Sequence, residues 1–492
     1  MTFTRRRMIL LAILLVGVWL RWHALAADLR LHPDEALFST FARRAALNGE
    51  WMLPGALDKP PLSIYAIALT SLPFVETRPD GLPNVRLRPG ETAARLPGAL
   101  ASIAAIPLIY AIGRRLYRDE QTALFAAALL AVSPFAVAFS ATAFTDGLML
   151  FWLLVSLWMI ATGRWSWAGA ALALAFASKQ QAALFLPLLI AIGVLRPSFN
   201  WRRAVVFVLI FFAGVMLLVA WDLLRAQPSG IFTLAIANND PARLIRSEEL
   251  MPRLGQWWAY ASTWFAPTTF IFVGLGIGSV LLRALRRPMR FGSALDLTIL
   301  SYIAAYFLAH WLVAFNTYDR YLLPLLPLVT LIAARGAIAF WDWWRVRLPG
   351  NELSMAGLIC LAVIAGTARD AAEGHLNIGA DRGEHQDIDR VAAYLDALPL
   401  GAIVYDHWFG WELDYYLGEW TNKRRVYYPT AQALVRDALR QPDPAARYFV
   451  AASDKPHSAW IEALEKAGFA PELVYSEARF LVYKLTPPVQ DG

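Results

Sequence analysis

The sequence contains a single cysteine, Cys360, set inside an apolar run. That excludes a disulfide framework and a cysteine-built metal cage. Charge is scarce too: Asp, Glu, Lys and Arg make up 17% of the 492 residues, against roughly 25% in soluble globular chains. No Walker lysine motif, no G-x-G-x-x-G after a strand and no H-E-x-x-H is present. The glycine loops that cradle nucleotide phosphates and the zincin helix are therefore absent. The histidines are scattered, no Ser-His-Asp order stands out, and there is neither an internal repeat nor a low-complexity tract.

What the chain has instead is hydrophobicity. Apolar and aromatic residues make up 58% of it, and apolar runs near the ~20-residue length that spans hydrocarbon recur through the first three quarters. The expected fold class is an α-helical polytopic membrane protein carrying a small C-terminal α/β domain. Lys and Arg outnumber Asp and Glu by 45 to 38, yet their placement argues against a nucleic-acid partner. Arg5–Arg7, Arg114/Arg115, Arg202/Arg203, Arg286/Arg287 and Arg345/Arg347 each sit at the edge of an apolar run, as cytoplasmic anchors do. The N-terminal run ends in "ALAAD", like a signal-peptide cleavage site, but its length and its Trp19 and Trp22 favour a retained anchor.

With Arg5–Arg7 placed inside, the spans thread as Met8–Ala27, Thr92–Ile112, Thr122–Phe139 and Asp146–Thr162. Two short helices follow, on either side of Ser178-Lys179-Gln180, because a lysine at mid-bilayer is costly. Ala204–Asp222, Thr269–Leu285, Leu295–Phe315, Leu322–Phe340 and Met355–Thr367 complete a set of eleven. The apolar stretch Leu62–Phe74 is too short to cross and reads as interfacial or re-entrant. This threading puts every basic pair on one side, the expected cytoplasm. It implies a multi-pass protein of the inner or plasma membrane, with residues 1–375 as the membrane module and the loop 28–91 outside. Residues 381–492 form an extracytoplasmic α/β domain. In that domain "DIDRVAAYLDALP" and "HSAWIEALEKAGF" have helical spacing, "GAIVYD", "RRVYY" and "RYFVAA" read as strands, and "ELVYSEARFLVYKL" reads as a terminal hairpin.

Asp34 and Glu35 stand just beyond the first span. Acids behind Pro33 are ordinary at a helix start, where the dipole favours them. Their company suggests more. In the threading Asp34, Asp58-Lys59, Asp146, Lys179 and Asp319-Arg320 all fall at outer ends of spans, as a cavity for an ionic substrate requires. Lys59 precedes two prolines that fix its direction, and a compact ammonium suits a phosphate. Asp146 stands where capping alone would explain it. The Arg320 guanidinium suits either a lipid headgroup or a substrate phosphate.

"HPDE" after the first span, "DKPPL", "ARLPGAL", "TDG", "SKQ" and "DRYLLPLLP" occur in that order. Together they resemble the membrane-embedded, polyprenyl-phosphate-dependent glycosyltransferases of the GT-C class, nearest to the family 39 protein mannosyltransferases and the aminoarabinose transferases. The resemblance covers about Arg5 to Phe340. It implies Asp34 as catalytic base or key acid with Glu35 beside it, Lys59 on the donor phosphate, and Asp146 as the acid opening the fourth span. Lys179 and Arg320 join Lys59 in binding donor phosphate, with His32, Asp58, Arg95 and Tyr321 in support. Where the aminoarabinose enzymes often carry Arg-Tyr after the acidic pair, this chain has Leu37-Phe38, a departure from lipid A modification.

The expected function is transfer of a hexosyl or pentosyl group from a polyprenyl-phosphate donor to a protein, glycolipid or polysaccharide acceptor at the outer face of the bilayer. One displacement inverts the anomeric centre. No cofactor is required by this scheme. A divalent metal is compatible with it, since Asp34, Glu35, Asp58 and Asp146 are hard oxygen donors, but their spacing matches no fixed ligand pattern. Two alternatives stay open. A secondary transporter of an anionic or lipid-linked substrate would show inverted repeats and midplane charges, and an assembly scaffold would leave the outer acids replaceable.

Overall fold

The computed structural model describes the chain except residues 1, 2, 78–80, 82, 242, 286–290, 348–351, 375, 377, 419–422, 442–444 and 489–492. Arg286 and Arg287 lie outside the described residues. The chain divides into two units. The first comprises 1–27, 50–70 and 92–380, and the second 28–49, 71–91 and 381–492.

The first unit is helical. Among the described residues seven helices are long and apolar enough to cross a bilayer, from Arg5–Leu25 to Asp319–Val346, and an eighth if a bent pair counts as one span. Each of the eleven expected segments is helical, but not all are full spans. The expected continuous crossing Thr122–Phe139 is two helices, Glu120–Val132 and Pro134–Ser140, bent by 56°. Pro134 has no N–H for the carbonyl four residues back, so a straight helix is lost there. The Ser133 hydroxyl caps the new start by accepting from Ala136 N. The freed carbonyls are taken by an arginine from the first span. Arg21 is fully buried and donates to Leu130 O at 3.0 Å, Ala131 O at 2.7 Å, Gly17 O at 3.1 Å and Ser102 Oγ at 2.8 Å.

Trp165–Ser178 and Gln180–Val194 form a broken hairpin. Its tip, Lys179, bonds Asp146 at the start of helix Thr145–Thr162. Its open end lies at the other end of that helix, where Arg196 and Arg115 both donate to Ala161 O. The first arm is about 21 Å long at 1.5 Å per residue and the second, partly 3-10, about 25 Å, both short of the ~30 Å hydrocarbon thickness. The tip thus sits below the level that a full span would reach.

The second unit holds the only sheet of more than two strands among the described residues. Its strands are Ile403–Asp406, Arg424–Tyr427, Arg447–Ala452, Ala470–Glu477 and Phe480–Thr486. Ile403–Asp406 pairs in parallel with both Arg424–Tyr427 and Arg447–Ala452, and the last two strands form the antiparallel hairpin. Helix Gly410–Leu417 packs on one face, and helices Ala431–Arg440 and Ser458–Lys466 pack on the other. All five strands match the segments expected from the sequence, while Gly410–Leu417 and Ala431–Arg440 were not anticipated.

The composition of this unit is also a finding. The loop 28–91 was assigned wholly to the membrane module, but 28–49 and 71–91 group with 381–492. The reason is apolar burial: Leu31 and Ala36 belong to the same core as Val391, Leu413, Val450 and Phe480. Polar ties reinforce it. Arg30, fully buried, pairs with Glu91 at 2.9 Å, Tyr416 bonds Glu91, and Leu31 N donates to the Tyr416 hydroxyl. Arg43 donates to the carbonyls of Tyr415 and Asp414.

Candidate active site

Within the first unit, six of the expected residues come together: Asp58, Lys59, Asp146, Lys179, Arg320 and Tyr321. Helix Trp165–Ser178 ends at Lys179, whose backbone is extended (φ −158°, ψ 131°) before the chain re-enters a 3-10 turn at Gln180. The break frees the lysine from either helix face. Its ammonium lies 2.6 Å from Asp146 Oδ1 and 5.0 Å from the Tyr321 ring centre. Asp146 Oδ2 is buried and accepts no hydrogen bond. A carboxylate with one oxygen spent on a lysine and the other unbonded is an incomplete polar arrangement. Lys179 also senses the positive charges of Arg320 and Lys59.

Lys59 is held by its loop. Arg225 donates to the carbonyls of Met52, Leu53 and Gly55, and Gln180 donates to Asp58 O at 2.9 Å. The Lys59 ammonium pairs with the Asp58 carboxylate at 2.5 Å, and Asn238 reaches the same carboxylate at 3.3 Å. Arg320 enters from the turn Asp319–Leu325, with its guanidinium 4.9 Å from the Phe144 ring centre and 4.5 Å from that of Tyr318. Asp319 fixes that turn by accepting from Arg320 N and Gly379 N. Lys59 and Lys179 thus each pair with a carboxylate, and Arg320 lies near enough for its charge to act on Lys179, a grouping of cations suited to a phosphate.

Tyr306, His310, Gln181 and Asn239 complete the surroundings, and sequence reasoning missed them. Tyr306 takes a bond from Gln181, donates to Tyr321 O at 2.9 Å and stacks on His310 at 4.1 Å, while Tyr321 donates to Asn239 at 3.2 Å. The signal was there: Tyr306 and His310 are polar residues at i, i+4 in a largely apolar span, where polar groups are rare. Arg95 is buried in helix Leu87–Tyr117.

The remaining expected residues lie in the second unit. Pro33–Asn48 is a helix whose N-cap is His32. His32 Nδ1 accepts from Asp34 N at 3.2 Å, and the Glu35 carboxylate accepts from His32 N at 2.9 Å. Together these form a capping box. The adjacent acids therefore differ: Glu35 is fully buried and closes the helix start, and Asp34 is only partly buried.

Among the described residues no three His, Cys, Asp or Glu side chains are grouped so as to hold a metal ion. Asp58 and Asp146, suggested as ligands with Asp34, are bonded instead to Lys59 and Lys179.

Residues 86–221 match the family model described as dolichyl-phosphate-mannose-protein mannosyltransferase. The chain is 25% identical over 352 residues to an undecaprenyl phosphate-alpha-4-amino-4-deoxy-L-arabinose arabinosyl transferase of Pseudomonas aeruginosa (strain LESB58). That match takes in 68% of this chain but only 60% of the relative. Among solved structures, ArnT from Cupriavidus metallidurans in the apo state superposes with a TM-score of 0.64 at 14% identity, covering 96% of this chain and 97% of that one. The same protein bound to undecaprenyl phosphate gives 0.62 at 15%, covering 98% of each chain. At these identities the structural likeness establishes the fold: a multi-pass helical membrane protein with a small C-terminal sheet. The GT-C resemblance read from the sequence motifs is borne out by the matches to transferases of lipid-linked sugars.

Proposed function

We propose that the chain is an integral-membrane glycosyltransferase that moves a sugar from a polyprenyl-phosphate donor to an acceptor on the extracytoplasmic side. The observation that carries this reading is the grouping of Lys59, Lys179 and Arg320, the two lysines paired with Asp58 and Asp146, at a break between apolar helices. A phosphate on a membrane-dissolved tail is the substrate whose charge and solubility fit such a place. The relatives named above work on undecaprenyl-phosphate aminoarabinose, so a pentose on a polyprenyl phosphate is the first donor to test. Those relatives leave the transporter reading without an observation in its favour.

In this mechanism the three cations bind the donor phosphate and stabilise the negative charge that develops as the bond from anomeric carbon to phosphate oxygen breaks. Asp146 holds Lys179 in place and offsets its burial. Asp34 accepts the proton of the acceptor hydroxyl as that oxygen attacks the anomeric carbon. The products are a glycosylated acceptor of inverted configuration and free polyprenyl phosphate. The acceptor is a hydroxyl-bearing protein, glycolipid or polysaccharide.

The test is transfer of labelled sugar from a synthetic polyprenyl-phosphate donor by the purified protein. Lys59→Ala and Lys179→Met are expected to abolish most turnover, and Lys59→Arg to restore part of it, because a planar guanidinium does not reproduce an ammonium's contacts. Full activity in all three would remove the phosphate site from this place.

A further inference from the structure

A cavity in the first unit, of about 450 Å³, is lined almost wholly by apolar side chains. It runs between Ile9 and Val16 of the first span and between Gln121 and Val132 of the broken span, with Trp341 and Ile364 closing its sides. Residues Ile9, Ala12, Ile13 and Val16 share one helix face, so the wall is continuous. From Gln121 to Val132 is about 16 Å along a helix, close to half of the ~30 Å hydrocarbon thickness. The groove is therefore one leaflet deep, and it ends at the Ser133-Pro134 break.

Its shallow end is polar and basic. Gln121 lines it, and the neighbouring Glu120 forms ion pairs with Arg6 at 3.7 Å and Arg114 at 3.5 Å. Two exposed guanidiniums share one carboxylate, and Arg5 and Arg7 flank them in sequence. Trp341 at this level is an interfacial anchor in character. Positive charge therefore remains at the mouth of an apolar slot of acyl-chain depth.

We propose that this groove is a binding site for one anionic phospholipid of the leaflet on the Arg5–Arg7 side. An acyl chain fills the slot between the first and the broken span, and the headgroup phosphate sits at Arg6 and Arg114. The slot is not continuous in residues with the Lys59–Lys179–Arg320 cluster, so it is separate from the proposed donor site. Its occupant wedges the helices that carry Arg21 and the break at Pro134.

Native mass spectrometry and thermal unfolding of the delipidated full-length protein test this, with phosphatidylglycerol and phosphatidylcholine of matched chains as probes. Phosphatidylglycerol is expected to bind one per chain and raise the unfolding temperature, and phosphatidylcholine to do so weakly. Ala128→Phe, which fills the slot, should abolish the bound lipid. The double variant R6Q/R114Q, at the exposed mouth, should weaken phosphatidylglycerol binding by about 10- to 30-fold, since each interfacial basic residue contributes roughly 1 kcal/mol. It should leave phosphatidylcholine binding unchanged. Equal binding of both lipids, or phosphatidylglycerol binding untouched by A128F and by R6Q/R114Q, would overturn the proposal. So would a co-purified polyprenyl phosphate that A128F removes, which would assign the groove to the donor tail. A dimer that A128F dissociates would assign it to a second copy of the chain.

Discussion

At the scale of single residues, "HPDE" could be read from sequence in two ways, as a helix start or as a catalytic pair. The structure divides the two readings between neighbours. Glu35 is buried with its carboxylate on His32 N, while Asp34 is left partly exposed. Sequence could name both acids but could not separate them, because which carboxylate turns back to cap depends on the entry angle of the chain. The converging cations were legible, since each stood at the end of an apolar run. The Asp146–Lys179 pairing was not, because it joins residues 33 apart on different helices. If Asp34 is the base, Asp34→Asn lowers the rate of sugar transfer by about 10²–10⁴-fold and leaves the unfolding temperature nearly unchanged. Glu35→Ala does the reverse: it costs about 0.5–2 kcal/mol of stability through the lost cap with a smaller effect on the rate in the protein that remains folded. Both are read from initial rates and thermal melts of the same preparations. Full activity of Asp34→Asn would mean the base lies elsewhere.

At the scale of elements, hydropathy located the expected membrane segments but not the bend inside one of them. The run Thr122–Phe139 has the composition of a span, and Pro134 was in plain view. Its consequence was not, because it depends on Arg21, more than 100 residues earlier, filling the vacated bonding sites. A guanidinium meeting two carbonyls of the broken helix satisfies groups that lipid cannot. Arg21→Met should therefore destabilise the protein by roughly 2–5 kcal/mol, since it leaves buried carbonyls unpaired. Arg21→Lys should recover only part of this, having a single nitrogen to offer. Thermal unfolding in one detergent reads both, and a neutral Arg21→Met would show that the break is satisfied by other means. A second tie closes the other unit. Buried His385 bonds Asp381 at 2.8 Å and Glu412 at 3.0 Å, joining the entry of 381–492 to helix Gly410–Leu417. Burial alone would push its imidazolium down, but the two carboxylates outweigh that and raise it to about 9. The same pair holds Asp381 below its ordinary value despite burial. A group raised on folding contributes fully below its unfolded value near 6.5, and the contribution fades as pH rises through about 9. Stability should fall between those limits by on the order of 3 kcal/mol, and His385→Gln should flatten that part of the profile. A wild-type profile already flat over that range would remove the imidazolium from this tie.

At the scale of the whole molecule, the strands of the second unit were legible because they alternate with helices over a continuous stretch. Its true extent was not. A unit assembled from 28–49, 71–91 and 381–492 joins pieces that hundreds of residues of apolar helix separate, and no local pattern reports such a partnership. The assembly places a strong constraint on topology. The three segments share one core and buried ion pairs, so they must fold on the same side of the membrane. The segment 28–49 follows a span whose other end carries Arg5, Arg6 and Arg7, and such clusters stay in the cytoplasm. We therefore expect the second unit to be extracytoplasmic. A reporter active only in the cytoplasm, fused at the C-terminal end of the chain or inserted at the exposed turn residue Gly81, should be silent at both places. The same reporter inserted between Arg114 and Glu120 should be active. Activity at both Gly81 and the C-terminus would invert the orientation while keeping the second unit intact. Disagreement between those two positions would break the unit itself, because one core cannot form from segments on opposite sides of a bilayer.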